Sequence, residues 1–235
     1  MSTKKKILLK LTGSVFLDKD KKQPSTATII SLITQIKQLN TSHQFGIVVG
    51  GGNFFRGNQH GKLFGLTPTT GHNVGMLATM MNGLILADLC EQHDLSTSLL
   101  CAINCSEIGK PISQEHIMGA LKKSNTIIFA GGTGSPFFTT DTNAVLRALQ
   151  MSADEIWKGT KTDGIYDADP FEKPQAQLLK TVSFDQALQQ KLGIMDLAAY
   201  ALAQQYNQTV RVFNIFSPNS LMHAAQDKNF GSTLQ

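Results

Sequence analysis

The sequence has few of the features that would place a chain outside the cytosol. Its three cysteines, Cys90, Cys101 and Cys105, are odd in number and lack CxxC spacing. They therefore favour buried free thiols over reactive or metal-binding ones, and imply neither a disulfide framework nor a zinc site. The apolar run from Ile7 ends at Lys10, which is too short for a secretory signal. No strongly apolar window reaches the length of a membrane span, so we expect a cytoplasmic protein without a membrane partner.

Several catalytic and nucleotide-binding signatures are also missing. The sequence has no GxxxxGK[ST], no GxSxG and no HExxH, which excludes a P-loop protein, a hydrolase elbow and a zincin. The glycine turn at Gly132 lacks the third glycine of GxGxxG, and Pro136 would interrupt the helix that this fingerprint requires. The six histidines are not spaced as metal ligands. We expect no metal site built by the protein alone.

Charge and composition bound the class of protein. The net charge is +4, with basic clusters at Lys4–Lys6 and Lys19–Lys22 and no aromatic residues interleaved with them. This pattern gives no support for a nucleic-acid partner, and either a small anionic substrate or a solvated surface accounts for it. The chain is 41% hydrophobic and 16% charged, as in globular proteins. No low-complexity linker divides residues 1–235, so we predict one domain, with 167–181 as a functional loop.

Apolar, β-branched runs alternate with helical patterns, which predicts an α/β fold with a mainly parallel sheet covered on both faces. The predicted strands are Lys6–Leu11, Phe45–Val49, Ser98–Ala102, Thr126–Ala130, Asp154–Lys158 and Val210–Phe216. Two helical faces are predicted from residues spaced three or four apart: Ile29, Ile33, Ile36 and Leu39; and Met76, Met80, Leu84 and Ala87. Ser183 with Gln186 predicts a capping box, and Ser217-Pro218 predicts another helix start.

The turn that starts at Gly132 is the strongest local signal. Gly132, Thr133 and Gly134 follow a buried strand, and a helical pattern begins at Asp141. Glycine N–H groups, threonine hydroxyls and a helix N-terminus would converge on one point, an arrangement that favours an anion. The alternative is an ordinary strand-to-helix turn with Asp141 as N-cap.

Glycine, lysine and threonine recur at three further strand ends: Lys10 to Gly13, Gly50 to Asn53, and Lys158 to Lys161. Because ligands bind at the carboxyl ends of parallel strands, four such ends predict a ligand rich in phosphate. Lys10 and Lys158 would approach a γ-phosphate from opposite sides, unless each is only a solvated charge at a strand end. Arg56 would clamp a phosphate.

Eight blocks of the sequence, in order, carry a resemblance to a known family. They are Ile7 to Gly13; Gly50-Gly51-Gly52-Asn53-Phe54-Phe55-Arg56-Gly57; Gly75 to Leu84; Thr133 to Asp141; Lys158 to Tyr166; Asp169-Pro170; Met195 to Ala199; and Arg211 to Asn214. With these blocks the chain resembles the bacterial uridylate (UMP) kinases of the amino acid kinase superfamily. The resemblance covers nearly the whole chain.

The resemblance implies a three-layer α/β/α sandwich and transfer of the ATP γ-phosphate to UMP in pyrimidine biosynthesis. It also implies Mg²⁺, held mainly by the nucleotide phosphates, and a homohexamer. The N-terminal part would mainly hold UMP and phosphate, and the C-terminal part mainly ATP. The residues implied to be catalytic are Lys10, Arg56, Asp141, Lys158 and Asp196. Those implied to bind ATP are Lys10, Gly13, Gly52, Arg56, Thr160, Tyr166 and Asp169. Those implied to bind UMP are Gly51, His72, Thr133, Gly134, Ser135, Pro136, Phe137, Phe138, Thr139 and Thr140.

The sequence departs from the family pattern at two places that matter for function. His72 and Asn73 stand where the family usually has an aspartate that holds the UMP ribose. In the family, a helix carries basic residues that form a GTP site. The corresponding turns of this chain have Ala87, Glu91 and Gln92 instead. Two alternatives stay open. One is a kinase for another small acid (acetylglutamate, aspartate or carbamate), and the other is a nucleotide-binding regulator without catalysis.

Overall fold

The computed structural model describes residues 4–18 and 23–235, in which strands alternate with helices. The basic cluster Lys19–Lys22 lies outside the described residues. The strands are β1 (Lys5–Leu11), β2 (His43–Val49), β3 (Thr97–Cys101), β4 (Lys110–Pro111), β5 (Thr126–Ala130), β6 (Glu155–Thr160), β7 (Ile165–Tyr166), β8 (Leu178–Leu179), β9 (Thr181–Val182), β10 (Val210–Asn214) and β11 (Ser232–Leu234). The helices are α1 (Ala27–Leu39), α2 (Gly57–Leu63), α3 (Pro68–Gln92), α4 (Gln114–Lys122), α5 (Thr140–Met151), α6 (Phe184–Gln189), α7 (Leu197–Gln205) and α8 (Ser220–Gln226), and a 3₁₀ turn spans Gly13–Phe16.

In the described ranges, nine strands form one sheet in the order β4-β3-β5-β2-β1-β6-β10-β11-β9. Neighbouring strands are parallel, except that β11 runs antiparallel to β10. Strands β7 and β8 form a separate antiparallel hairpin beside residues 167–177. The six predicted strands correspond to β1, β2, β3, β5, β6 and β10, with ends shifted by at most two residues.

The sheet is covered by helices on both faces. In β1, Ile7 and Leu9 face a core closed by α1, α3 and α8, while Leu8 faces a second core closed by α4, α5, α6 and α7. This alternation is what a central strand with two buried faces requires. The predicted three-layer α/β/α fold is confirmed, and the buried face of α1 is the predicted one.

Helix α3 differs from its prediction. Of the face that was expected to be buried, only Met80 is buried, and Leu84 is 45% exposed. The helix contacts the sheet through smaller residues instead, and a Cβ added to Gly83 would lie 2.8 Å from the Cβ of Ala130. By length and composition alone α3 could also cross a membrane, which the sequence analysis did not expect. A core helix of a soluble protein passes the same test, and Ala78, Leu86 and Cys90 of α3 are buried.

Two local predictions had different outcomes. The Ser183 cap is confirmed, because its hydroxyl accepts a hydrogen bond from the Gln186 N–H at 3.0 Å. The helix start at Ser217-Pro218 is wrong: these residues form a turn, and α8 begins only after Asn219, whose φ is +53°. Asparagine tolerates this left-handed conformation, which delays the helix.

The cysteines are free thiols, as predicted. Cys90 and Cys101 are buried and Cys105 is half-buried. Burial raises the pKa of Cys90 to about 12, so this thiol is unreactive at neutral pH.

Candidate functional site

The four strand ends singled out by the sequence lie side by side. Strands β5, β2, β1 and β6 are consecutive in the sheet, so their carboxyl ends form one edge. Gly132, Gly50 and Gly13 lie in the turns that follow β5, β2 and β1, and Gly159 is the penultimate residue of β6 itself. Gly13 packs tightly here, since a Cβ at this position would lie 2.8 Å from the Gly50 carbonyl oxygen. The predicted convergence of glycine turns is therefore confirmed.

Two lysines and one aspartate form an ionic cluster at this edge. Lys10 of β1 is in register with Lys158 of β6, so both side chains leave the sheet on the same face. Asp141, in the first turn of α5, lies between them. Its Oδ1 is 3.2 Å from the Lys10 Nζ and its Oδ2 is 2.8 Å from the Lys158 Nζ. The side chains of Lys10, Asp141 and Lys158 are 15%, 17% and 9% exposed, so water screens the cluster weakly.

The cluster changes the acidity of its members. Burial favours the neutral form of Asp141, but Lys10 and Lys158 outweigh it and hold the pKa of this carboxyl below its ordinary value. Burial, together with the charge of Lys10, lowers the pKa of Lys158 to about 8, although Asp141 acts in the opposite direction. The cluster therefore carries a net positive charge at pH 7, and Lys158 titrates close to neutrality.

Asp141 is not the N-cap of α5. The cap is Thr139, whose hydroxyl accepts a hydrogen bond from the Asp141 N–H at 3.0 Å. This leaves the Asp141 carboxylate free to bind the lysines. The alternative prediction, an ordinary strand-to-helix turn with Asp141 as the N-cap of α5, is therefore wrong.

Asp196, which the resemblance implies to be catalytic, is bound by hydroxyl and backbone N–H groups. It is the N-cap of α7, where its carboxylate accepts from the Ala199 N–H at 2.9 Å. It also accepts from the hydroxyls of Thr139 and Thr142, the latter at 2.7 Å. Burial opposes its ionisation, and these hydrogen bonds outweigh it and lower the pKa of Asp196. Asp196 thus fixes the start of α5, and with it Asp141, rather than contacting a lysine.

Helix α3 holds two of the glycine turns through buried polar side chains. The Asn82 amide donates to the Gly50 carbonyl at 2.7 Å and exchanges hydrogen bonds with the Asn53 side chain. The Thr79 hydroxyl accepts from the Gly131 N–H at 3.0 Å. These contacts explain why α3 buries the polar residues Thr79 and Asn82: they position the turns.

A cavity of about 450 Å³, which we name the glycine-turn cavity, opens beside these turns. Of the residues expected to bind nucleotides, Gly51, Gly52, Arg56, His72, Thr133, Phe138, Thr139 and Thr140 line it. Phe55, Met76, Thr79 and Asn143 complete parts of its wall and were missed, because each looks like an ordinary helix or loop residue in the sequence. No carboxylate is among the lining residues.

Four residues of the predicted 133–140 loop do not line this cavity: Gly134, Ser135, Pro136 and Phe137. Gly134 has a φ of +82° and packs against Ala102. The Thr133 hydroxyl donates to the Ser135 carbonyl at 2.8 Å, which closes the turn on itself. Phe137 is 63% exposed, and its ring packs on His72 with centroids 4.9 Å apart.

Arg56 lies at the mouth of the cavity. It precedes α2, and its Nε donates to the Gly52 carbonyl at 3.1 Å. Its side chain is exposed, so the guanidinium is held beside the glycine turn without a carboxylate within 4 Å among the described residues. Such an arginine is suited to a phosphate.

A second cavity of about 400 Å³, which we name the hairpin cavity, lies at the end of β6. Lys158, Thr160, Tyr166 and Asp169 line it, as expected from the sequence. Asp169 also accepts a hydrogen bond from the Phe171 N–H at 2.9 Å, which fixes the loop after β7. Residues 190–194, which no motif indicated, also line it.

The carboxylates at the site do not form a metal centre. No group of three or more histidine, cysteine, aspartate or glutamate side chains is placed to hold a metal ion anywhere in the part of the chain that the structure describes. Asp141 already pairs with two ammonium groups and Asp196 with three donors. A magnesium ion at this site would therefore have to arrive already coordinated by a ligand's phosphates.

Comparisons with known proteins agree with this geometry. The profile of the amino acid kinase family matches residues 5–214. The chain is 40% identical to a uridylate kinase from Psychrobacter sp. (strain PRwf-1), over 97% of this chain and 95% of that protein. A crystal structure of UMP kinase from Ureaplasma parvum aligns over 100% of both chains with a TM-score of 0.94 and 34% identity. A UMP kinase from Bacillus anthracis aligns over 100% of this chain and 97% of that chain, with a TM-score of 0.93 and 26% identity.

Proposed function

The chain belongs to the amino acid kinase family and, within it, to the uridylate kinases, and on this premise we propose that it transfers the γ-phosphate of ATP to UMP to give UDP. The product would enter pyrimidine nucleotide biosynthesis. The fold is that of solved UMP kinases, so the question that remains for this chain is which residues perform the reaction.

The observation that carries the proposal is the position of the ionic cluster relative to the two cavities. Lys158 lines the hairpin cavity, and Thr140, the neighbour of Asp141, lines the glycine-turn cavity. Two nucleotides with their phosphates directed toward the cluster would meet at Lys10 and Lys158. In-line positioning and charge neutralisation are the main requirements of phosphoryl transfer.

The chemistry needs no general base. The UMP phosphate is already largely dianionic at pH 7, because its second pKa is about 6. The obstacle is repulsion between two anions, which Lys10, Lys158 and Arg56 would reduce. Asp141 would hold both ammonium groups in place before substrate binds, so that less reorganisation is needed in the transition state.

We assign UMP to the glycine-turn cavity and ATP to the hairpin cavity. Gly51 and Gly52 let the backbone approach the phosphates, and Phe138 offers an apolar surface for a base. Thr160, Tyr166 and Asp169 would hold the nucleoside part of ATP. Magnesium would enter as part of the MgATP substrate. The N-terminal half would thus hold mainly the acceptor and the C-terminal half mainly the donor, within one domain.

We also propose that the enzyme is a cytoplasmic homo-oligomer, and a hexamer by resemblance to its family. The exposed face of α3 supports self-association, because Leu77, Met81, Leu84 and Ile85 are between 38% and 50% exposed and lie on one side of the helix. A contiguous apolar face of this kind is typical of an interface. Light scattering of the wild type and of Met81→Asp tests it, and a monomeric wild type would refute it.

A coupled assay of ADP formation tests the proposed reaction, with MgATP and each of UMP, CMP, dUMP, AMP and GMP, with and without GTP, and with acetylglutamate, aspartate and carbamate as non-nucleotide acceptors. We expect turnover with UMP. Turnover only with a non-nucleotide acid such as acetylglutamate, aspartate or carbamate would refute the proposed acceptor. Nucleotide binding without turnover would instead favour a regulator.

A further inference from the structure

A buried arginine beside the glycine-turn cavity has no role in the mechanism above. Arg147, on α5, is 6% exposed, and burial lowers its pKa to about 10. It therefore remains charged at neutral pH. No carboxylate lies within 4 Å of its guanidinium in the two ranges that the structure describes. A buried cation without a counter-ion is costly, so its neutral partners are informative.

All three partners of Arg147 are oxygen atoms of neutral groups. Its Nε donates to the Asn143 Oδ1 at 3.0 Å, and its Nη1 donates to the Gln150 Oε1 at 2.6 Å. Its Nη2 donates to the carbonyl of Gly132 at 3.2 Å. Arg147 thus ties α5 to the glycine turn that follows β5.

The contact with Asn143 fixes the orientation of an amide. A guanidinium has only N–H donors. If the Asn143 amide were flipped, its Nδ2 donor would face the Arg147 Nε donor, so the amide must point its Oδ1 at Arg147. Asn143 lines the glycine-turn cavity and is only 2% exposed. Across residues 4–18 and 23–235 no acceptor is hydrogen-bonded to its Nδ2. The cavity wall therefore offers an amide N–H donor that cannot flip.

The position of Asn143 indicates which part of a nucleotide it would meet. The ionic cluster marks the phosphate end, at β1 and β6. Asn143 is hydrogen-bonded to Arg147, which in turn binds Gly132 at the end of β5. In the sheet β2 lies between β5 and β1, so Gly132 is two strands away from β1. The acceptor's nucleoside, rather than its phosphate, would occupy this end of the cavity.

We infer that Asn143 is a nucleotide-binding residue that donates a hydrogen bond to a carbonyl oxygen of the uracil base, and that Arg147 is the positioning residue that keeps its amide in the donating orientation. This inference rests on the proposed function, because it concerns the acceptor in the same cavity. An uncharged pyrimidine carbonyl suits a neutral amide donor, whereas the cavity's cationic group, Arg56, is tied to Gly52 after β2, the strand next to β1.

Asn143→Asp is the sharpest test. The new carboxylate keeps an oxygen on Arg147 and gives the buried cation a counter-ion, so the fold is retained. Toward the cavity, however, it presents an acceptor in place of the N–H donor. We expect the KM for UMP to rise at least about fivefold, since a mismatched buried polar group costs about 1–3 kcal/mol and each 1.4 kcal/mol is tenfold. The KM for ATP should stay unchanged.

Gln150→Glu is the matched control. It makes the same amide-to-carboxylate change on the same arginine, but Gln150 does not line the cavity. We expect its KM for UMP to stay at the wild-type value. Arg147→Lys, which keeps the charge but removes the planar fork, should raise the KM for UMP with little change in the KM for ATP.

Parallel measurements with CMP identify the carbonyl. If UMP and CMP weaken equally in Asn143→Asp, the amide meets the oxygen that both bases share. If only UMP weakens, it meets the oxygen that cytosine replaces by an amino group. A wild-type KM for UMP in a folded Asn143→Asp overturns the inference alone. Absence of UMP turnover in the wild type overturns the proposed function itself.

Discussion

Replacing Asp141 by asparagine should destabilise the protein in a pH-dependent way. The carboxylate lies 3.2 Å from the Lys10 Nζ and 2.8 Å from the Lys158 Nζ, and all three side chains are at least four-fifths buried. Removing one partner of a buried ion pair typically costs about 3–5 kcal/mol, because the remaining charge is left uncompensated. In Asp141→Asn the ammonium groups of Lys10 and Lys158 would face each other without a counter-ion. Lys158 can lower this cost by losing its proton.

The magnitude follows from the pKa of Lys158, which burial and Lys10 lower to about 8. At pH 7 neutralising this amine costs only about 1.4 kcal/mol, since one pKa unit corresponds to about 1.4 kcal/mol. The penalty that falls on Lys158 in Asp141→Asn is therefore limited to about that value. At pH 9 the wild-type amine is already mostly neutral, so the same penalty nearly vanishes. The share that falls on Lys10 adds to the cost at both pH values.

The sign of the wild-type dependence follows from linkage. The folded-state pKa of Lys158, about 8, is below its ordinary value of 10.5. Between these two values the unfolded chain binds more protons, so this lysine contributes increasing stability as pH rises through the window. In Asp141→Asn the unfolding free energy should rise more steeply with pH below pH 8, because the variant has no carboxylate to compensate the charged Lys158 amine.

Urea denaturation at pH 7 and pH 9 measures both effects. We expect the loss of unfolding free energy in Asp141→Asn to be about 1.4 kcal/mol smaller at pH 9 than at pH 7. Asp185→Asn is the control, because Asp185 is exposed and, among the residues that the structure describes, its carboxylate accepts only from the Gln204 amide, at 2.8 Å. An equal loss at both pH values would show that Asp141 does not stabilise the charge of Lys158.

Four further predictions concern the site. Lys10→Ala should lower kcat for UMP phosphorylation about 100-fold or more, with the circular dichroism spectrum unchanged; an unaltered kcat would exclude Lys10 from the chemistry. The kcat/KM for ATP should fall above pH 8 as Lys158 deprotonates, and Lys158→Arg should lack this alkaline fall because arginine keeps its proton; a pH profile shared by both proteins would contradict this. Asn82→Leu should lower the unfolding free energy by about 1–3 kcal/mol, since the Gly50 carbonyl loses its buried donor; calorimetry measures it, and an unchanged melting temperature would refute it. His72→Asp should lower the KM for UMP about tenfold and that for dUMP less, because a carboxylate accepts from the ribose hydroxyls more strongly than imidazole and dUMP lacks the 2′-hydroxyl; an unchanged KM for both nucleotides would place the ribose elsewhere.

The features that could be predicted from the sequence are those with strong local causes. Continuous β-branched runs such as Thr126–Ala130 form central strands because both faces of the sheet are covered. The glycine turns gather because the carboxyl ends of neighbouring parallel strands share one edge. The lysines at strand ends could be anticipated from this topology, but the sequence alone does not distinguish Asp141 as their common partner from Asp141 as the N-cap, a position that Thr139 occupies.

Other parts of the site depend on contacts between distant segments. Residues 190–194 form a wall of the hairpin cavity, although nothing in their sequence distinguishes them from an ordinary loop. The amide of Asn143 acquires its orientation only because Arg147 lies one helical turn further along α5 and also reaches Gly132. The contact of α5 with the Gly132 turn through the Arg147 guanidinium cannot be predicted from a periodic sequence pattern.

The wrong prediction for α3 has a physical cause that itself points to the site. A hydrophobic pattern selects the face with the largest apolar residues, yet Leu84 is exposed while Thr79 and Asn82 are buried. Gly83 lets the helix approach the sheet closely, and the buried polar residues Asn82 and Thr79 hold the turns at Gly50 and Gly131. Local patterning and burial disagree mostly where a fold serves a function. On α3 both faces differ from what the hydrophobic pattern predicts. The inner face positions the glycine turns, and the outer face supplies the apolar surface proposed for self-association.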